Sequence, residues 1–186
     1  MGRTSVLQQG RRVLLRRPGL RDRNEFIKLV RASRRLHRPW VYPPEDRAAF
    51  EEYLGWNRGS DFEFMLVCRI DDRALVGVYD LSQIFHENFQ NAYLGYYGFS
   101  PSTGKGYMSE GMGLCLRYAF TGLKLHRVEA NIQPANADSI RLVKHWGFRR
   151  EGFSPRYLKV GGRWRDHEHW ALLADEWRRD RRVKGR

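Results

Sequence analysis

Residues 91–123 constrain this chain more than any other stretch. They run N-A-Y-L-G-Y-Y-G-F, then S-P-S-T-G-K-G, then Y-M-S-E-G-M-G-L-C-L-R-Y-A-F-T-G-L. The pattern is strand, glycine turn, helix. A strand that stops at a Gly-x-Gly turn and opens straight into a helix builds an anion site. The turn exposes the backbone N–H groups of Gly104, Lys105, Gly106 and Tyr107, and the helix places a partial positive charge behind them. A pyrophosphate suits such a site. The same spacing also serves as a tight turn and nothing more, so its meaning rests on what the rest of the chain supplies.

Around this segment the periodicity sets an order of elements. Val13–Arg16 reads as a short first strand ended by Pro18-Gly19. Asp22 is placed to cap a helix through about Arg35, with Phe26, Ile27, Leu29 and Val30 as its apolar face. The segment H-R-P-W-V-Y-P-P breaks the chain into an aromatic loop, and Glu45–Trp56 reads as a second amphipathic helix. The period then changes to two. Phe62–Ile70 and Ala74–Leu81 form a hairpin about Asp71-Asp72, and Asn91–Phe99 follows as a third strand. Met108, Met112, Cys115, Leu116, Ala119 and Phe120 recur at helical spacing, a stripe that belongs to a core. Strand His126–Ile132 makes a parallel crossover with Asn91–Phe99. Asp138–Trp146 is a short helix stopped by Gly147. Two last strands, near Phe148–Tyr157 and Trp164–Leu173, meet at Gly161-Gly162. The expectation is one domain over residues 1–177 and a basic tail, 178–186, without structure.

Size and composition agree. The chain has 186 residues, 41% of them hydrophobic and 13% aromatic, enough to bury a core. No stretch approaches the roughly 20 apolar residues of a membrane span. The first residues lack both the apolar region of a secretory signal and a Ser or Thr at position 6 for myristoylation. Cys68 and Cys115 each sit in an apolar run, which fits buried free thiols, a reducing cytoplasm, no disulfide and no metal site. The net charge of +13 is spread over the N-terminal third and the tail, and arginine dominates it. It reads either as a solvated basic surface or as contact with RNA or an acidic ligand.

Two more pieces share the sheet end with the glycine turn. A parallel crossover delivers both helix starts to the same end, so a ligand on the first helix can touch Asn136 and Ser139 at the second. Taken alone, Asn136 and Ser139 also serve as turn and cap residues. Trp146-Gly147-Phe148 ends the second helix.

Taken together, T-G-K-G-Y-M-S-E-G, L-H-R-V-E-A-N-I-Q-P-A-N-A-D-S-I-R-L-V-K-H-W-G-F-R-R-E-G and Y-L-K-V-G-G-R-W-R-D-H resemble the GCN5-related N-acetyltransferase (GNAT) superfamily, in its RimJ/RimL branch of protein N-terminal acetyltransferases. The resemblance covers nearly all of Val13–Trp177. It implies a mixed α/β (α+β) fold: a mostly antiparallel sheet of six to seven strands, about four flanking helices, and a splay between the fourth and fifth strands, here Asn91–Phe99 and His126–Ile132. Acetyl-CoA would lie in that gap as cosubstrate. The family's pyrophosphate loop maps onto Thr103, Gly104, Lys105, Gly106, Tyr107 and Met108. Thr103 stands where Gln or Arg is usual, and Met108 where a small residue is usual. Gly98 and Phe99 would bind the pantetheine arm through their backbone.

The resemblance also frames the chemistry. The tyrosine that many members use as general acid is replaced by Val143, and Ser139, with Asn136, becomes the expected proton donor to the leaving thiolate. The glutamate associated with RimL-type members falls near Leu158, so that base is missing. Glu129 is a candidate base, or equally one half of an ion pair with a nearby arginine. Asp166 and His167 either orient the substrate or are structural. A neutral amine must attack. Deprotonating an α-amine at pH 7 costs only about 1 kcal/mol, and a lysine about 4–5 kcal/mol. The expected reaction is direct attack by a protein N-terminal α-amine, on a ribosomal protein, through a tetrahedral intermediate with its oxyanion held by backbone N–H. Two rivals stay open: a small-molecule amine acceptor, and a non-catalytic, RNA-binding module on the same fold. The expected assembly is a monomer or a homodimer.

Overall fold

The computed structural model describes residues 5–57 and 59–184. The middle of the chain forms its strands from continuous apolar runs because both faces of the sheet are covered. The strands are β1 (Val6–Gln9), β2 (Val13–Arg16), β3 (Phe62–Arg69), β4 (Leu75–Phe85), β5 (Asn91–Gly98), β6 (Arg127–Ile132), β7 (Arg149–Val160) and β8 (Arg163–Leu173). The helices are α1 (Arg23–Ala32), α2 (Arg34–His37), α3 (Arg47–Trp56), α4 (Tyr107–Arg117), α5 (Ala137–His145) and α6 (Ala174–Lys184). One sheet holds all the strands, in the order β1-β2-β3-β4-β5-β6-β8-β7.

Side chains alternate between two cores. On β3, Met65 and Val67 join Met112, Cys115 and Leu116 of α4, together with Val143 of α5. Phe64, Leu66 and Cys68 point the other way, to Phe26 and Val30 of α1 and Phe50 and Tyr53 of α3. The α4 stripe is therefore core, as its spacing predicts. Both cysteines are free and buried.

The β5–β6 pair positions the site. It is the one parallel pair in the sheet, and its register runs only from Asn91↔Arg127 to Tyr93↔Glu129. Past Tyr93, β5 stays bonded to β4 as far as Gly98, and past Glu129, β6 stays bonded to β8. The two strands diverge, giving the expected splay.

The differences from expectation are local. The sheet has eight strands because Val6–Gln9 pairs with β2. The described residues form six α-helices. The first stops at Ala32, and Ser33 leads into the separate turn α2. Asp22 precedes α1 but does not cap it with its side chain. Its carboxylate instead accepts from both Nη atoms of Arg16, at 2.8 and 2.7 Å, and from the Gly19 N–H at 2.8 Å. The segment after Trp177, expected to lack structure, continues α6 to Lys184. Residues 185–186 lie outside the described residues.

Met108 fits through two glycines. Gly77 and Gly98 are cross-strand neighbours, and the Met108 side chain lies over both. A Cβ on Gly77 would stand 2.6 Å from the Tyr97 carbonyl oxygen and 2.5 Å from Met108 Sδ. Gly77→Ala should therefore destabilise the fold by about 1–3 kcal/mol, as overpacking does. Urea unfolding measures this, and an unchanged midpoint would contradict the packing.

Candidate active site

The glycine turn sets the first wall. Gly104 and Gly106 hold φ +73° and +76°, left-handed values that a side chain would strain. Gly106 is the N-cap of α4, and Glu110 N–H reaches back to its carbonyl at 3.1 Å. The N–H groups of Gly104, Lys105, Gly106 and Tyr107 have no backbone partner, so the turn presents donors at a helix start. Thr103 and Lys105 turn inward: Thr103 Oγ1 donates to Ser100 O at 2.9 Å, and Lys105 Nζ to Pro101 O at 3.0 Å.

Sequence reasoning missed the cation here. Arg12 comes from the β1–β2 turn. Its Nη1 donates to Lys105 O at 3.1 Å, its Nε to Glu110 Oε2 at 2.9 Å, and its guanidinium lies 5.0 Å from the Tyr107 ring centre. A positive charge thus stands beside the loop that lacks the usual Gln or Arg at Thr103. The Arg11-Arg12 pair just before β2 was the available signal.

The splay supplies the second wall. A cavity of about 160 Å³ opens where β5 and β6 part. Leu94, Gly95 and Tyr96 line one side, and Ala130, Asn131, Ile132 and Gln133 the other. Asn136 and Ser139 reach it from α5, Trp40 and Val41 from the α2–α3 loop, and His167 from β8. The loop is tied down, since Gln133 Nε2 donates to Trp40 O at 3.4 Å and Tyr42 packs on Gly161. A larger hollow of about 380 Å³ runs along α1, but a single helix lines it, through Asn24, Ile27, Lys28 and Arg31.

Ser139 and Asn136 meet as their spacing suggests. Asn136 Oδ1 accepts from Ser139 N–H at 3.2 Å and so caps α5. Ser139 Oγ lies 2.5 Å from the Tyr96 hydroxyl. Burial pushes the Tyr96 phenol up to about 12, so it keeps its proton at neutral pH. Val143 is fully buried in the core. A phenol nonetheless reaches Ser139, from β5 rather than from α5. Alternating strand direction hid Tyr96 within the run Y-Y-G-F.

Phe99 and Glu129 are engaged elsewhere, and Gly98 is engaged through its carbonyl alone. Phe99 N–H donates to Val76 O at 2.8 Å and its carbonyl accepts from Ser102 N–H at 2.9 Å, so its backbone is fully occupied. Gly98 O accepts from His37 Nε2 at 2.8 Å. The antiparallel alternation of β4 and β5 turns the Gly98 and Tyr96 N–H groups toward the gap. Glu129 is bound to Arg127 Nε at 2.8 Å, on the zipped part of the strand pair, and does not line the cavity.

Trp146, the C-cap of α5, packs that helix onto α4. Its ring fills the space where Gly113 of α4 lacks a side chain, and its Nε1 donates to Ser109 Oγ at 3.3 Å. Gly147, at φ +85°, then turns the chain out of α5.

Known proteins share this arrangement. Residues 12–149 match the family model described as an Acetyltransferase (GNAT) domain, and the chain belongs to that family. YjcK of Bacillus subtilis, named a probable N-acetyltransferase, is 38% identical over 116 residues, which cover 62% of this chain and 64% of YjcK. The [ribosomal protein uS5]-alanine N-acetyltransferase of Escherichia coli is 36% identical over 120 residues, 64% of this chain and 61% of that enzyme. The chain thus spans less than two thirds of each. The structure of Mycobacterium smegmatis RimJ in complex with CoA-disulfide superposes with a TM-score of 0.82 at 27% identity, covering 94% of this chain and 90% of that one.

Beside the cavity, Asp80 pairs in register with Gly95, and its carboxylate occupies the space a Gly95 side chain would need. Tyr53 Oη donates to it at 3.0 Å. Burial raises its pKa from 3.8 to about 6. A folded pKa above the unfolded one means the native state binds the extra proton. Stability therefore falls as pH rises from about 4 to 6 and stays lower above, by up to roughly 3 kcal/mol. Asp80→Asn should be more stable than wild type at pH 7, with the gap closing toward pH 4. Urea denaturation across that range checks this; a parallel pH dependence of the two proteins would contradict it.

Proposed function

We propose that this protein transfers an acetyl group from acetyl-CoA to an amine, and that the amine is a protein N-terminal α-amine. One observation carries the reading: the splay cavity joins a half-buried Ser139–Tyr96 hydroxyl pair to a wall formed by Trp40, Val41 and His167, with a free N–H cradle at the same sheet end. The residues suit the cosubstrate. Backbone N–H of Gly104 to Tyr107 and the α4 N-terminus would hold the pyrophosphate, with Arg12 adding charge. Backbone N–H of Gly98 and Tyr96, facing the gap, would pair with the pantetheine arm.

When bound, acetyl-CoA supplies an activated acyl group with a thiolate leaving group. Ser139 donates its hydroxyl proton to that thiolate. Tyr96 donates in turn to Ser139 Oγ, which frees the serine hydrogen to point away from the tyrosine. N–H groups of the splayed β5 face the oxyanion that direct attack creates.

The acceptor follows from energetics and likeness. An α-amine reaches its neutral form at pH 7 for about 1 kcal/mol, so a modest base suffices. The uS5-alanine enzyme of E. coli, to which the chain is similar, acts on such a group. The basic surface suits an acceptor presented beside ribosomal RNA.

Release of free thiol from acetyl-CoA tests this, with peptides bearing a free N-terminus against a panel of small amines. Peptides should turn over faster. Activity confined to small amines would contradict the acceptor, and no release with any amine would contradict the chemistry. Ser139→Ala should lower kcat by about 10²–10³-fold, the range of general acid catalysis, and leave CoA affinity nearly unchanged. Unchanged kcat would remove Ser139 from its role.

A further inference from the structure

The reaction needs a proton acceptor for the attacking nitrogen, and the chain's last strand carries two histidines close to the splay. His169 is fully engaged: Nδ1 lies 2.7 Å from Asn131 Oδ1 and Nε2 lies 2.9 Å from Ser154 Oγ. His167 is not. Its Nδ1 lies 2.9 Å from the carbonyl oxygen of Arg165. A carbonyl only accepts, so Nδ1 carries the hydrogen and Nε2 carries the lone pair. Nε2 has no partner and is not sealed in the core, although the residue is only 3% exposed. His167 also lines the cavity that Ser139 and Asn136 line.

We infer that His167 is the acceptor-side base, taking the proton of the attacking amine at Nε2; this rests on the acetyl-transfer reading above. Two nearby carboxylates are less suited. Glu129 is paired with Arg127, and Asp80 sits behind Gly95 under the Tyr53 hydroxyl. The surroundings keep the imidazole neutral. Burial lowers its pKa below 6.5. On β7, the Tyr157 ring lies 6.1 Å away. On β8 the titratable neighbours are His169 and Asp166, and Asp166 Oδ1 accepts from Arg156 N–H at 2.7 Å. The cavity walls on β5, β6 and the α2–α3 loop add Gly95, Asn131, Gln133, Trp40 and Val41, none of them charged.

The step balances. The amine nitrogen bonds to the acetyl carbon, and its proton passes to His167 Nε2. The carbon–sulfur bond breaks, and the thiolate takes the Ser139 proton. The imidazolium returns its proton to water and Ser139 regains one, leaving an amide and a thiol. An imidazole of this basicity serves an α-amine near pKa 7.8 and serves a lysine poorly, so His167 also selects the class of amine.

The test compares wild type, His167→Asn and Asp80→Asn with acetyl-CoA and a peptide bearing a free N-terminus. In wild type, log kcat/KM should fall with slope one below the amine pKa and slope two below the imidazole pKa, because both groups must be neutral. His167→Asn should lose about 10²–10³-fold at pH 7.5 and keep slope one throughout. Its CoA affinity by calorimetry should match wild type. Ring-nitrogen NMR of the free protein should show His167 as the Nδ1–H tautomer, titrating below 6.5. Any one of these results would overturn the inference alone: full activity in His167→Asn, a slope-two limb persisting in it, or the Nε2–H tautomer. So would a collapse in Asp80→Asn with His167→Asn unaffected. No thiol release by wild type with any amine would overturn the acetyl-transfer reading and this inference with it.

Discussion

The structure depends on one incomplete strand pairing. β5 and β6 are parallel neighbours that stay in register for three residue pairs and then part. Each strand keeps its other partner, so neither can swing across to close the gap. The unpaired backbone that results is exposed to a polar, ligand-sized space rather than buried in apolar core. A buried N–H or C=O without a partner is costly, so such a gap persists where another molecule can complete the bonding. The sheet is thus open at its centre, between β5 and β6.

Everything around the gap holds it open or equips it. α4 and α5 begin at the same sheet end because a parallel crossover leaves no other arrangement, and Trp146 locks them together through Gly113. Gly77 and Gly98 let Met108 lie on the sheet, which brings the α4 N-terminus close to β5. On the opposite face the α2–α3 loop is pinned by Gln133 and Gly161. The cavity therefore has a helix-start side, lined by Asn136 and Ser139, and a loop side, lined by Trp40 and Val41. Ser139 and His167 line the same cavity from different elements, α5 and β8.

Most of the fold was legible because its signals are local. The Gly-x-Gly turn, the period-two runs and the Asn136 cap follow from backbone conformation and fall where expected, although β4 runs on to Phe85, past the expected Leu81, and β7 to Val160, past Tyr157. What escaped depends on contacts distant in sequence. Arg12 reaches Lys105 and Glu110 from 93 and 98 residues away. Tyr96 meets Ser139 across the crossover, 43 residues on. No periodicity reports such pairs. Asp22 was read as a cap because Asp before a helix is a common start, but tertiary structure gave it Arg16 instead. Glu129 looked available for catalysis for the same reason: its ion pair with Arg127 was one of two readings the strand allowed, and the geometry favours it. Val6–Gln9 went unread because a four-residue edge strand carries almost no pattern.

The central claim is that the gap beside β5 is the seat of the cosubstrate. A crystal structure with CoA tests it most directly. The account predicts the pyrophosphate on the N–H groups of Gly104 to Tyr107, the pantetheine arm filling the space between β5 and β6, and the sulfur within hydrogen-bond reach of Ser139 Oγ. CoA bound elsewhere, or a sulfur pointing away from Ser139 with the gap unfilled, would contradict it.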